Sequence, residues 1–301
     1  MKKYKAWVGA ARLRTLPLSL SGVITGTALA NLSGVRDNVT FLLCLLVTIG
    51  FQVVSNFAND YGDGVKGTDA EDRVGPKRAL QSGALTSTEL KWGIGVTAFI
   101  SILLSVCLLN HVFGTENLPY FLLFLILAFL SIWAAIKYTV GKSAYGYRGL
   151  GDVFVFLFFG LLAVLGTAFL YTQHISLSNI LPAIAIGFLC VGVLNLNNLR
   201  DVESDSNHGK HTLIVKLGFQ KGKIYHYLLL ISSFVMLLLY SLQQFQGWEL
   251  LFLFPFVFIS VHLIKVVRTK EPVKLDPELK KLALSTFLLS LSFYFTVNYF
   301  L

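Results

Sequence analysis

Charge is scarce in this 301-residue chain: 14% of its residues are Asp, Glu, Lys or Arg, while 55% are hydrophobic and the mean hydropathy is +0.68. A soluble domain carries about 25% charged residues, so the composition excludes a water-soluble globular protein and predicts one built for a membrane. Cysteine is scarcer still. Cys44, Cys107 and Cys190 all lie inside apolar runs, with no CxxC pair and no histidine at ligand spacing. That argues against a metal or dithiol redox centre and predicts small buried hydrophobes. A dinucleotide fingerprint is absent as well: Gly146, Gly149 and Gly151 follow an apolar span rather than a strand and are not spaced GxGxxG. Asp60 and Asp63 stand three apart, and the Gly and Glu positions of an EF-hand do not follow. The chain also lacks the pattern of a cleaved leader. Lys2, Lys3, Lys5, Arg12 and Arg14 precede one span after another, as expected of an anchor.

What the chain has in abundance is apolar runs of about the length that crosses a bilayer. They recur at roughly 16–33, 39–58, 93–113, 118–137, 152–171, 179–197, 225–242, 248–264 and 282–301. The expected fold is all-α, a polytopic membrane bundle of about nine transmembrane helices forming one domain over residues 1–301. Trp92, Tyr120, Tyr138 and Trp248 at span ends fit interfacial belts. Gly22, Gly26 and Ala30 form a small-residue stripe in the first span, suited to close helix packing. The net charge of +9 raises the question of nucleic acid, but its placement answers it. With the N-terminus in the cytoplasm and sides alternating, 24 of the 25 Lys and Arg fall inside and only Arg36 falls outside. This is the positive-inside signature, so the basicity reports topology, and nine spans leave the C-terminus outside. Residues 1–15, with Trp7 among the bases, read as an amphipathic segment on the inner surface.

Two polar stretches interrupt the apolar pattern at matching places. Asn56-Phe-Ala-Asn59-Asp60-Tyr61-Gly62-Asp63 ends the second span and leads on to Asp69 and Asp72, and Asn197-Asn198-Leu-Arg200-Asp201-Val-Glu203-Ser-Asp205 ends the sixth. As last turns of helices, Asn56, Asp60 and Asp63 share one face, and so do Asn197, Asp201 and Asp205. Facing each other, they would form an oxygen-rich site for a hard cation such as Mg²⁺, which keeps waters and shares substrate phosphates. The plainer reading is two helix ends opening into solvated loops. The segment from Gly62 to Trp92 carries five glycines with Lys66, Arg73, Lys77 and Arg78, and the loop 138–152 carries Lys142 and Arg148 among glycines and tyrosines. Lys210 follows Asp205 in a third such segment. Glycine admits close backbone approach, and Lys and Arg beside carboxylates suit a metal-bound polyphosphate. The offset from Asn59 to Asn197 equals that from Asp63 to Asp201, which suggests two four-helix units, roughly 16–137 and 152–264, plus a last helix at 282–301. Paired acids on repeated helices would also serve a cation-coupled transporter.

The stretches Asn59-Asp60-Tyr61-Gly62-Asp63 and Asn197 to Asp205 resemble the paired NDxxDxxxD and NxxxDxxxD motifs of the UbiA-type membrane prenyltransferases. Asn59 to Arg78, Tyr138 to Asp152, Asn197 to Gly218 and the N-terminal Arg-Thr-Leu-Pro are similar to the branch that prenylates 1,4-dihydroxy-2-naphthoate. The first motif departs at its last Asp, where this chain has Gly67, with Asp69 following after a lengthened turn. The resemblance implies two Mg²⁺ ions on Asp60, Asp63, Asp201 and Asp205, supported by Asn59, Asn197 and Asp69. It also implies diphosphate contacts from Lys66, Arg73, Arg78, Lys142, Arg148 and Lys210, and shielding of an allylic cation by Tyr61, Tyr138 or Tyr145. The implied reaction joins a polyprenyl diphosphate to 1,4-dihydroxy-2-naphthoate with loss of carbon dioxide and diphosphate, giving demethylmenaquinol in the bacterial inner membrane with the site on the cytoplasmic side. A sister enzyme using 4-hydroxybenzoate or another ring acceptor is the near alternative. The implied partners are these substrates and membrane lipid, with no nucleic acid.

Overall fold

A computed structural model describes residues 3–67 and 77–300, and all regular structure among them is helical. Among the described residues nine helical stretches are long and apolar enough to cross a membrane, matching the nine expected runs; several of them, Lys3–Leu32 and Trp248–Arg268 included, join an α-helix to shorter helical segments. The helices are α1 (Lys3–Ala11), α2 (Leu16–Leu32), α3 (Asn38–Lys66), α4 (Ser87–Phe113), α5 (Leu118–Lys137), α6 (Gly151–Thr172), α7 (Ile180–Arg200), α8 (Val202–Asn207), α9 (Leu213–Leu217), α10 (Phe219–Gln244), α11 (Phe256–Arg268) and α12 (Asp276–Tyr299). The chain is a multi-pass membrane protein, and it divides into two compact units.

The first unit comprises residues 1–16, 39–151 and 203–212. Its core is small. Ala6, Ala10 and Ala11 of α1 pack against Phe57, Ala79, Leu85 and Leu90, so the N-terminal segment buries one face in protein. Trp7 meets Phe57 edge-to-face at 5.2 Å. Gly93 leaves room for that indole, because a Cβ there would lie 2.5 Å from Trp7. α4 begins at a capping box in which Thr86 and Glu89 satisfy each other's backbone donors. Its outer face exposes Trp92, Val96, Phe99, Ile100 and Leu103, a surface that belongs in hydrocarbon. Cys107 lies on an exposed face of this helix, against the expectation of burial, while Cys44 and Cys190 are buried as expected. An apolar run in a membrane helix does not distinguish a lipid-facing position from an interior one, and Cys107 occupies the former.

The second unit comprises residues 17–38, 152–202 and 213–301. Its centre is α7, which packs most extensively against α10 and α6. Ala183, Ile186, Leu189, Leu196 and Leu199 of α7 are fully buried. The stripe on α2 meets α6: a Cβ on Gly22 would lie 2.8 Å from the Phe159 carbonyl, and one on Gly26 would lie 2.4 Å from that of Val164. Gly160 and Gly187 bring α6 and α7 into similar backbone contact. α6 winds as a π-helix from Phe156 to Gly166 along these contacts. Polar bonds fasten α2 to α12, with Thr25 and Ser290 at 3.0 Å and Asn31 and Asn298 at 2.9 Å. A second polar chain runs among α10, α11 and α12: buried His226 meets buried His262 at 3.0 Å, His262 meets buried Glu278 at 2.8 Å, and the exposed Lys281 donates to Glu278 at 2.7 Å.

Candidate active site

In the first unit the acidic stretch stays helical well beyond the apolar run. α3 continues through Asp60 and Asp63 to Lys66, because its polar turns are buried and bonded. Asn56 does not face a ligand. Its amide donates to the Ala11 carbonyl at 2.8 Å and to Thr15 at 3.2 Å, tying α3 to the N-terminal segment. Asp60, 1% exposed, accepts the Ala79 N–H at 3.2 Å. Asp63, 5% exposed, is held at both oxygens. Oδ1 accepts the Tyr147 hydroxyl at 2.7 Å, and Oδ2 pairs with Nη1 of Arg78 at 2.6 Å. The same Nη1 donates to the Asn59 carbonyl at 2.7 Å. A charge-assisted bond on each oxygen fixes the carboxylate plane.

The loop after α5 reaches this site through close backbone approach. Thr139 donates to the Ala58 carbonyl at 3.0 Å, with the Asn59 carboxamide oxygen at 3.2 Å. A Cβ on Gly62 would lie 2.6 Å from Thr139 Oγ1 and 2.8 Å from its carbonyl carbon, so glycine is what lets the loop sit against α3. Gly67, where the resembled motif has its third Asp, ends α3 at φ +70°, the left-handed conformation glycine adopts after a helix. Asp69 and Arg73 lie outside the described residues.

Tyr147 organises the rest. Lys66 Nζ stands 3.8 Å from its ring centroid and Lys210 Nζ stands 5.7 Å from it. Its carbonyl accepts the His211 N–H at 3.0 Å, which draws in the segment carrying Asp205 and Lys210, themselves paired at 3.2 Å. Three carboxylates (Asp60, Asp63, Asp205) and three cations (Lys66, Arg78, Lys210) therefore meet in one unit, with Arg12 adding to the positive field on Asp63. Lys142 and Arg148 are exposed on the same loop, and it is Tyr147 that reaches Asp63. Of the aromatics expected to shield a cation, Tyr61 has Lys91 at 5.4 Å from its ring centroid. Tyr138 and Tyr145 pack edge-to-face at 5.4 Å, and the Tyr145 hydroxyl donates to the Ala134 carbonyl at 2.8 Å. Burial pushes that hydroxyl above its ordinary pKa, so it stays a donor. Tyr147 was not among the expected residues; the only signal for it is a tyrosine in a glycine-rich polar loop.

The second acidic stretch departs from the expected single face. α7 ends at Arg200, Asp201 leaves the helix at φ −95° and ψ 10°, and α8 begins afresh at Val202. Asn197, Asp201 and Asp205 thus do not lie along one helix, and Asp205 belongs to the first unit. The break brings Asp201 into a local ion pair. Nε and Nη2 of Arg200 grip both oxygens of Asp201 at 2.7 and 2.6 Å, Nη2 reaches Asn197 at 3.0 Å, and Nη1 binds Asp276 of α12 at 2.6 Å. No feature of the sequence pattern marks Arg200 or Asp276 for a role.

Every candidate ligand here is a hard oxygen donor, the donor type Mg²⁺ takes. Among the described residues no three acidic or imidazole groups form a cage of their own. Two carboxylates one turn apart on α3 instead suit an ion that completes its shell with water and substrate phosphate.

The family model described as the UbiA prenyltransferase family matches residues 19–291. The chain is 44% identical over 296 residues to the 1,4-dihydroxy-2-naphthoate octaprenyltransferase of Haemophilus influenzae, covering 97% of this chain and 95% of the relative. It is 41% identical over 294 residues to the protein of that name from Escherichia coli, again covering 97% and 95%. A solved UbiA homolog from Archaeoglobus fulgidus bound to GPP and Mg²⁺ shares the fold at a TM-score of 0.66 and 15% identity, over 99% of both chains.

Proposed function

The chain belongs to the UbiA prenyltransferase family, and from that premise we propose that it transfers a polyprenyl group from polyprenyl diphosphate to 1,4-dihydroxy-2-naphthoate, releasing diphosphate and carbon dioxide and yielding demethylmenaquinol. The observation that carries the reaction class is the Asp63 carboxylate, buried yet held by Arg78 and Tyr147 with Lys66 and Lys210 on the same tyrosine. Such an arrangement suits a polyanion that arrives with its own cation. The acceptor follows from relatives that share more than two-fifths of this sequence along nearly its whole length.

In this reading Asp60, Asp63, Asp201 and Asp205 are ligands for two Mg²⁺ ions, Asn59 and Asn197 support them, and Asp69 joins them after the turn at Gly67. Bound Mg²⁺ supplies counter-charge and Lewis acidity to the departing diphosphate. Lys66, Arg78 and Lys210, together with Arg73, Lys142 and Arg148, neutralise the diphosphate as the allylic C–O bond breaks and its electron pair leaves with oxygen. The ring carbon bearing the carboxylate then attacks the allylic carbon. Loss of that carboxylate as carbon dioxide returns its electron pair to the ring. Tyr147 keeps the Asp63 carboxylate in one orientation while the charge around it changes. The active site faces the cytoplasm of a bacterial inner membrane, with the N-terminus inside and the C-terminus outside, because that arrangement gathers the Lys and Arg residues on one side. The two acidic stretches belong to an internal duplication of four-helix units, roughly 16–137 and 152–264.

The test is an assay on purified membranes with radiolabelled polyprenyl diphosphate, Mg²⁺ and either 1,4-dihydroxy-2-naphthoate or 4-hydroxybenzoate. A prenylated, decarboxylated product from the naphthoate, lost with EDTA and restored by Mg²⁺, is the expected outcome. Product from 4-hydroxybenzoate alone would overturn the acceptor, and turnover indifferent to EDTA would overturn the metal.

A further inference from the structure

Arg200 and Asp201 are adjacent in sequence, and neighbours on a helix do not face each other. They meet because α7 stops at Arg200, which turns the Asp201 carboxylate back onto the guanidinium. A guanidinium bound to one carboxylate alone would neutralise it and weaken it as a donor to any cation. Here the guanidinium is shared. Nη1 is taken by Oδ1 of Asp276 at 2.6 Å, from the first turn of α12 and 76 residues away, while Nη2 also reaches the Asn197 carboxamide. Arg200 and Asp201 are buried, whereas the Asp276 side chain is 50% exposed. The cluster carries two carboxylates to one guanidinium, so the guanidinium does not neutralise both and the cluster as a whole stays negative. Asp276 also restrains the long Arg200 side chain, whose fork sets the plane of the Asp201 carboxylate.

We propose that Asp276 is a positioning residue for the second acidic motif, acting through Arg200 to keep Asp201 both oriented and negative enough to bind a divalent cation. The inference rests on the assignment of Asp201 as a metal ligand made under Proposed function. Partners one shell out from a metal ligand typically change metal affinity by about 10- to 100-fold when removed, and the partial exposure of Asp276 points to the lower end of that range.

The experiment is a Mn²⁺ titration of purified full-length protein in detergent, with free Mn²⁺ read by electron paramagnetic resonance, for wild type, D276A, D276N, D276E and D201A. The expected result is a Mn²⁺ Kd raised about tenfold in D276A, a smaller rise in D276N, which keeps the acceptor but not the charge, and recovery in D276E. The Mg²⁺ concentration giving half-maximal turnover should rise by the same factor, a shift that a general loss of packing would not produce. Unchanged Mn²⁺ affinity in D276A, with binding lost in D201A, would overturn the role of Asp276 and leave the metal assignment standing. Unchanged affinity in D201A as well would overturn both. If D276A does not fold, D276N and D276E carry the test: equal affinity in these two would overturn the charge argument.

Discussion

Removing one oxygen atom tests the central arrangement. In Tyr147→Phe the ring remains under Lys66 and the backbone carbonyl still accepts His211, while the 2.7 Å bond to Asp63 is lost. Asp63 is buried and keeps Arg78 on its other oxygen, so the carboxylate stays charged but gains freedom to turn about its Cβ–Cγ bond. A hydrogen bond to a charged group contributes about 1.5–3 kcal/mol. If that orientation is needed when charge develops on the diphosphate, turnover falls by roughly 10- to 100-fold, since about 1.4 kcal/mol corresponds to a factor of ten. The loss should appear in kcat, because Lys66, Arg78 and Lys210 remain to bind the polyprenyl diphosphate. The assay is initial-rate prenyl transfer in membranes, with the detergent melting temperature measured alongside. A Y147F enzyme that is folded and turns over at the wild-type rate would refute the reasoning.

Gly62→Ala sets two effects against each other: alanine favours a helix by about 0.5–1 kcal/mol, while forcing a methyl into a filled space costs about 1–3 kcal/mol. With Thr139 backbone 2.8 Å from the added carbon, overpacking should win and G62A should melt lower than wild type; a higher melting temperature would refute the close approach of loop and helix. Glu278→Ala leaves Nδ1 of the buried His262 without its carboxylate partner and should destabilise by about 1–3 kcal/mol, with Glu278→Gln recovering part by restoring an acceptor. Equal melting temperatures for wild type and E278A would show that the histidine chain does not stabilise the second unit.

Much of this molecule is legible before any coordinates. Nine runs of hydrocarbon length must be helices, because a bilayer offers no partner to an unpaired backbone amide, and the helices form where those runs lie. Asp60, Asp63, Asp201 and Asp205 stand out as plainly, as carboxylates beside apolar runs and next to glycine and lysine loops, and their role as metal ligands is what we propose for them. The small-residue stripe on α2 announced the close packing it makes with α6.

What the sequence could not supply is the identity of the second group in each contact. Nothing in the spacing of residues 63, 78 and 147 says that one carboxylate takes an arginine on one oxygen and a tyrosine on the other. Nor does periodicity reveal that α7 stops at Arg200, or that the guanidinium Asp201 then meets is shared with a carboxylate on the last helix. Cys107 shows the same limit in the apolar part of the chain, where a membrane helix is hydrophobic on every face and composition cannot say which face meets lipid. Pattern along the chain fixes which residues are helical and which are chemically able. Partners far apart in sequence fix which oxygen is held and by what, since those outcomes depend on contacts that exist only once the chain has folded.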